Sequence, residues 1–336
     1  MIESGPVRTY FLGSGRLGIP VLSALASDSR IELLGVGSQC DKPYGRRKVV
    51  TPTQLCRHAL EAGFTVDRVD SVNSKAFLSR LSALDLDLLL VVSFGQILRQ
   101  ELLQLPRFGC LNVHASLLPK YRGAAPIAEA LLNGDEETGV CFMKMDKGLD
   151  TGPVYETMYS KIDPLENAGQ LEDRLGGLAA ERVAELCHRI CRQGLEARPQ
   201  PAHLESKAGK VSKEDGQLDW ELSAQRIARM IRAYNPWPRV HTIVGTQRGE
   251  KRIQIVEAVP IEGNFGDSVV PGQILPMRRD IFAVACGEGF LKILRLIPEG
   301  RKEMAADEFL RGNPLLPNGI LSKRKQGKKT ALRQQK

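Results

Sequence analysis

The sequence predicts an α/β protein, an open and mostly parallel Rossmann-like sheet, followed by a small C-terminal β-barrel of OB-like type. Three observations carry this expectation. Strand-like runs alternate with helical periodicity through about residue 135, the order expected of strands joined by crossover helices. The run Asp87-Leu88-Leu89-Leu90-Val91-Val92 is apolar at every position after its first, which suits a strand covered on both faces. Beyond a polar stretch with two prolines, Arg198 to Lys213, short β-type runs follow one another with turn residues between them, as in a small barrel or sandwich.

In chain order, Thr9 to Leu12 reads as a strand, the glycines after it as a turn, and Ile19 to Ala26 as a helix. Ile31 to Val36 is a strand, Thr53 to Ala62 a helix, and Cys110 to Val113 a short strand that breaks into the loop Ser116 to Pro126. Val140 to Met145 and Pro153 to Tyr159 are strands around the turn Asp146 to Gly152. From Gly169 to Gln193, Leu171, Leu175, Leu178, Ala179, Val183, Leu186 and Ile190 recur at three- and four-residue steps, marking a long amphipathic helix. Five β runs follow in the C-terminal part: Val240 to Val244, Ile253 to Val259, Gln273 to Leu275, Ile281 to Cys286 and Phe290 to Leu296.

The chain has 336 residues, which suggests two domains at roughly 150 residues each. The expected division is a catalytic domain over 1–206, a β-barrel domain over 207–318 and a basic tail over 319–336. No stretch approaches the roughly 18 apolar residues of a spanning helix, and Met1 to Arg8 hold no apolar signal core. A cytoplasmic location is expected. Seven cysteines without a C-x-x-C pair support neither a disulfide framework nor a zinc ribbon. The net charge is +8, yet the last fifteen residues carry seven bases and no acid, so the excess lies mainly in a segment too polar to fold alone.

Gly13-Ser14-Gly15-Arg16-Leu17-Gly18 is a literal G-x-G-x-x-G between a strand and a helix, where a dinucleotide pyrophosphate could sit. The acid that should hold a ribose about 20 residues later is missing. The second strand runs instead into Ser38-Gln39-Cys40. A glycine turn joining strand to helix is the favoured reading, and a nicotinamide-dependent oxidoreductase is the disfavoured one.

The chemistry concentrates around Asn112-Val113-His114. Two residues apart at the end of a strand, Asn112 and His114 project on one face, at the carboxyl edge where open sheets bind ligands. Together they offer an amide and an imidazole to one reacting atom. Asp150, in the glycine-bearing turn Asp146 to Gly152, supplies a carboxylate that can orient a histidine or pass a proton. The scattered histidines form no ligand cluster, so no metal is expected.

Asn112-x-His114, Ser116-Leu117-Leu118-Pro119-x-Tyr121-Arg122-Gly123 and Gly148-Leu149-Asp150-Thr151-Gly152 together resemble the formyltransferases that use 10-formyltetrahydrofolate. Within them, the wider context resembles the branch that formylates methionyl initiator tRNA. Asp41 to Arg47 is similar to that branch's basic loop, and Ile231-Arg232-Ala233-Tyr234-Asn235-Pro236-Trp237-Pro238 to the start of its second domain.

The resemblance implies a catalytic trio of Asn112, His114 and Asp150, with the first two stabilising a developing oxyanion and Asp150 orienting His114 and assisting proton movement. It implies a 10-formyltetrahydrofolate site at Ser116, Leu117, Leu118 and Pro119 with Phe94, Gly95 and Ile97. It also implies contact with the initiator tRNA acceptor stem through Lys42, Arg46, Arg47 and Lys48, by a monomeric protein. Three features depart from the family pattern: the Gly13-Ser14-Gly15 turn, Phe94 where tyrosine is frequent, and the basic tail. A formyltransferase acting on a small amine such as an amino sugar nucleotide is the nearest alternative, and a non-catalytic RNA-binding protein is another.

Overall fold

The computed structural model describes residues 5–44, 48–263, 269–275, 281–316 and 319–321. It divides into two compact units, Met1–Ala130 with Asp135–Lys210, and Leu131–Gly134 with Val211–Lys336.

Along the chain the first part holds β1 (Val7–Gly13), α1 (Gly18–Ser27), β2 (Ile31–Gln39), the short paired strands β3 (Lys42–Tyr44) and β4 (Val49–Thr51), α2 (Gln54–Glu61), β5 (Val66–Val69), α3 (Lys75–Ser82), β6 (Leu88–Val92) and α4 (Gln100–Leu103). Then come β7 (Cys110–His114), β8 (Arg122–Gly123), α5 (Pro126–Asn133), β9 (Glu137–Lys144), β10 (Val154–Lys161), α6 (Ala168–Arg192) and β11 (Lys207–Ala208). Seven strands form one sheet in the order β10-β9-β7-β6-β1-β2-β5. β1, β2, β5, β6 and β7 run parallel, and β9 and β10 are added antiparallel at the β7 side.

The middle of the sheet is apolar because both faces are covered. All five residues of β6 are buried, as are Tyr10, Phe11 and Leu12 of β1. α6 starts at a capping box in which Asn167 and Gln170 satisfy each other's backbone N–H groups. It buries Leu171, Leu175, Ala179, Val183, Leu186 and Ile190 along one stripe and packs on α1. Its C-terminal end brings Arg192 to Asp87, a 2.7 Å ion pair whose side chains are 6% and 2% exposed. Arg192 also donates to the carbonyls of Gly5 and Pro6, and Asp87 accepts from the Arg8 amide. The charges are therefore desolvated but fully partnered, at the edge of the sheet where β6 begins.

In the second unit, α7 (Ala224–Ala233) is capped by the Ser223 hydroxyl and buries Ala224, Ile227, Ala228 and Ile231. β12 (Val240–Thr246), β13 (Gly249–Ile261), β14 (Phe282–Ala285), β15 (Phe290–Pro298) and β16 (Met304–Ala305) are all antiparallel, in the order β12-β13-β15-β14 with β16 on β15, and α8 (Ala306–Gly312) follows. Alternation along β12 buries Val240, Thr242, Val244 and Thr246 on one face. The expected strand Gln273 to Leu275 is present as isolated bridges, Gln273 to Ile320 and Ile274 to Val284, with the Leu275 amide donating to the Ala283 carbonyl and the Ala285 amide to the Gln273 carbonyl. Among the described residues, no helix is long and apolar enough to cross a membrane. The tail beyond Leu321 lies outside the described residues.

Candidate active site

β7 and β9 pair so that Asn112 faces Met143 and His114 faces Cys141 across the ladder. Asn112 and His114 share one face of β7, and both are buried, at 9% and 6% exposure. The turn after β9 returns Asp150 to them. Asn112 Nδ2 donates to Asp150 Oδ1 at 3.4 Å, the Gly123 amide donates to Oδ2 at 2.8 Å, and His114 Nδ1 stands 3.6 Å from the same Oδ2. The three expected catalytic residues are thus brought together around one carboxylate.

The far side of the imidazole fixes its tautomer. His114 Nε2 lies 3.0 Å from the Tyr121 carbonyl, which can only accept, so Nε2 carries a hydrogen. Tyr121 is itself held, its hydroxyl donating to Asp135 and its amide accepted by Ser206 Oγ. In the neutral ring Nδ1 is then bare and faces a carboxylate oxygen, two acceptors 3.6 Å apart. At that distance no hydrogen bond joins them, and a small approach would let one proton be shared, so the pair frames a proton slot.

Two glycines make this geometry possible. Gly123 has φ +130°, and a Cβ there would lie 2.2 Å from the Ala208 carbonyl oxygen of the parallel β8–β11 pair. At Gly152 a Cβ would lie 1.8 Å from the Lys144 carbonyl oxygen. Asp150 adopts φ +54°, in the left-handed region. The turn is fastened by Asp146, which accepts from the Gly148 amide and the Thr151 hydroxyl.

The residues expected to hold folate leave the same edge of neighbouring parallel strands, since Val92 pairs with Val113 and the two loops follow directly. Ser116 is fully buried and its hydroxyl donates to the Lys120 carbonyl, while the Leu118 amide donates to Cys141 Sγ. Pro119 is buried and Leu117 half-buried. The ring of Phe94 packs into the apolar core with Tyr10, Leu12, Val69 and Phe77, and its carbonyl accepts from Gln39 Nε2. Gly95 and Ile97 are exposed, Ile97 at 78%. A cavity of about 440 Å³ bounded by Leu118, Tyr155, Thr157, Arg198 and Gln200 lies behind the Leu118 loop and does not include the trio.

Of the basic loop, Lys42 and Lys48 are exposed, and Lys42 donates to Gln39 Oε1. Val49 and Val50 beside them are exposed at 59% and 64%. Arg46 and Arg47 lie outside the described residues. Arg226, Arg229 and Arg232 of α7 are half-buried. Among the described residues, no group of three or more His, Cys, Asp or Glu side chains is arranged to hold a metal ion.

The glycine motif after β1 has a different occupant from the one its spacing invites. The Leu17 amide, at the start of α1, donates to Glu172 Oε1 at 3.2 Å, and Arg16 pairs with Asp173. A carboxylate of α6 therefore occupies the helix N-terminus where a pyrophosphate would bind. Burial pushes the Glu172 carboxyl above the usual glutamate range, against the lowering effect of the Leu17 amide and Arg16. The sign follows. A raised folded pKa means that stability from this group is full below the ordinary glutamate range and falls as pH rises through the folded value. Glu172→Gln keeps an acceptor for Leu17, so its thermal midpoint should equal or exceed that of the parent at neutral pH, with the gap closing in acid, where Glu172 is itself protonated. Melting curves across pH check this; a variant less stable than the parent at neutral pH would refute it.

The fold and the trio frame the comparisons with known proteins. The formyl transferase family model matches residues 8–185 and the formyl transferase C-terminal domain model residues 210–314. The methionyl-tRNA formyltransferase of Xanthomonas axonopodis pv. citri is 39% identical over 313 residues, 93% of this chain and 99% of its own length. The chain belongs to the methionyl-tRNA formyltransferase family. The family's representative in Aromatoleum aromaticum is 38% identical, over 94% of this chain and 96% of its own length. Among solved structures, HypX from Aquifex aeolicus in complex with tetrahydrofolic acid superposes with TM-score 0.61 at 16% identity, over 90% of this chain and 46% of that one. A Helicobacter canadensis N-formyltransferase in complex with folinic acid and dTDP-3-aminofucose gives 0.57 at 15% identity, over 89% and 100%. At these identities the likeness shows the shared fold. In this formyltransferase the family models cover both described units, and all three trio residues lie within the first match.

Two residues that matter to the site escaped the sequence reading. Glu172 sits on the polar side of a predicted helix, and Gln200 in the stretch read as a linker. Residues 198 and 207–208 pair with Val154 and β8, and Gln200 reaches the Asp150 turn. An alternative donor-acceptor partner in a proline-rich polar stretch leaves no periodic trace.

Proposed function

We propose that this protein transfers the formyl group of 10-formyltetrahydrofolate to the α-amine of methionyl initiator tRNA, in the cytoplasm, as a monomer. The first unit carries the chemistry and the second grips the tRNA. The observation that carries the reading is the convergence of Asn112, His114 and the Gly123 amide on the Asp150 carboxylate, in a chain that matches methionyl-tRNA formyltransferases over nearly its whole length.

The reaction joins the amine nitrogen to the formyl carbon, breaks the bond from that carbon to N10, and moves one proton from the amine to the leaving nitrogen. Asn112 commits one amide hydrogen to Asp150 and uses the second on the formyl oxygen as negative charge develops there, the kind of interaction that dominates acyl transfer. The slot between His114 Nδ1 and Asp150 Oδ2 holds the proton in transit. When it is held on Nδ1, the imidazolium places a positive charge beside the developing oxyanion while its two N–H groups face Asp150 and the Tyr121 carbonyl. The loops at 94–98 and 116–119 bound the folate at the strand ends. Lys42, Arg46, Arg47 and Lys48 neutralise phosphates of the acceptor stem and orient the reacting amine.

The second reading, a small-amine acceptor, is favoured only by the fold shared with an N-formyltransferase solved in complex with dTDP-3-aminofucose. Formylation rates with charged initiator tRNA, charged elongator tRNA and an amino sugar nucleotide decide between them. The initiator tRNA should react with kcat/KM at least about 10²-fold above the sugar, the scale of two to three lost charged contacts. A sugar nucleotide reacting as well as the tRNA would reverse the assignment.

A further inference from the structure

We propose that Gln200 is a positioning residue for Asp150, held in its own orientation by Arg122. The assignment rests on the reading of Asp150 as part of the active site and names what keeps it there.

Asp150 is a non-glycine residue in the left-handed region, at φ +54°, a conformation that persists only where its surroundings enforce it. The Gln200 side chain supplies that enforcement. Its Nε2 donates to the Asp150 carbonyl at 2.9 Å and to the Gly152 carbonyl at 2.7 Å, and lies 3.5 Å from Met143 Sδ. Both amide hydrogens are thus spent on the backbone flanking Thr151. The other end of the amide cannot be exchanged with this one. Oε1 accepts from Arg122 Nε at 3.1 Å and from Arg122 Nη2 at 2.8 Å, and a flipped amide would set its NH₂ against a guanidinium that can only donate.

The same strand completes the clamp from the other side. The residue after Arg122 is Gly123, whose amide holds Asp150 Oδ2 at 2.8 Å. The side chain of Asp150 is therefore fixed by Gly123 and its backbone by Gln200, and both tie back to the Arg122-Gly123 strand. Arg122 is anchored in addition by Glu205. Gln200 touches none of the groups that face the formyl carbon, so its effect passes through Asp150. If the turn relaxed toward an ordinary conformation, the 3.6 Å separation of Oδ2 from His114 Nδ1 would be the first distance lost.

Two variants and a double-mutant cycle test this. Gln200→Glu keeps the size and the Arg122 fork but sets an oxygen against two carbonyls, while Gln200→Ala removes the side chain. For either, kcat should fall about 10- to 10²-fold, the effect of displacing a reacting group by about an ångström. KM for the formyl donor and for methionyl initiator tRNA should stay within about threefold, because binding is untouched. In an Asp150→Asn background, Gln200→Ala should cost less than about threefold more, since the residue it positions is already lost. Gln200→Ala with wild-type kcat, a loss that multiplies in full with that of Asp150→Asn, or a loss in which KM rises and the thermal midpoint falls in step with kcat would each overturn the assignment. Wild-type activity in Asp150→Asn alone would instead overturn the reading of Asp150, and this assignment with it.

Discussion

Replacing His114 by alanine should lower kcat for formylation by about 10²-fold or more, the scale of losing one preorganised oxyanion or proton-transfer group. The ring contributes at both nitrogens. Nδ1 shares the proton slot with Asp150, and Nε2–H pins the Tyr121 carbonyl. Removing it deletes a buried hydrogen bond, so stability should fall by about 1 kcal/mol as well. Asn112→Ala should lower kcat on the same scale with a smaller stability change. Steady-state kinetics at saturating folate and tRNA, with circular dichroism to confirm folding, measure both. Activity within a few-fold of the parent in either variant would remove that residue from the mechanism.

The second large effect is on stability and leaves chemistry alone. Arg192 and Asp87 form a desolvated ion pair, and without Arg192 the buried Asp87 loses its 2.7 Å partner and is left to the Arg8 amide and the longer 3.7 Å pair with half-exposed Arg107. Arg192→Ala should destabilise the first unit by about 3 to 5 kcal/mol, a fall in thermal midpoint on the order of 10 °C for a domain of this size. Because the pair lies where β6 begins, away from the loops that follow β6 and β7, kcat of the folded fraction should not change. Urea unfolding with parallel activity measurements checks both halves. A variant as stable as the parent would mean that the pair contributes no more than an apolar replacement.

What could be read from residues alone follows from how far each signal reaches along the chain. β6 was legible because five consecutive apolar residues have one explanation in an open sheet. Asn112 and His114 were legible because the two-residue period of a strand puts them on one face whatever surrounds them. Asp150 was legible as a carboxylate in a glycine turn, but its left-handed backbone and the Gly123 amide that meets it depend on β8, which is two residues long. β5 and α3 carry too few apolar residues to announce themselves, with only Val69 and then Phe77 and Leu81 buried. Phe94 illustrates the converse. The family resemblance implied a place for it at the folate pocket, whereas the side chain turns into the core, because alternation past the strand end is set by packing and not by period. Gln200 acts on residues about fifty positions earlier, and no local pattern encodes such a partner. The dinucleotide motif failed as a functional signal for an equally non-local reason, a carboxylate from α6 at the helix start.

The central claim is that Asn112, His114 and Asp150 act as one unit in moving a formyl group from folate to an aminoacyl amine. Single-turnover transfer of labelled formyl from 10-formyltetrahydrofolate to methionyl initiator tRNA, in the parent, each single alanine variant and the triple variant, tests it most directly. The account predicts label on the methionyl amine in the parent, and a triple variant no more than about 10-fold below the slowest single variant, as groups that work together lose their effect together. A parent that transfers no label, or a triple variant that transfers it at the parental rate, would contradict the account.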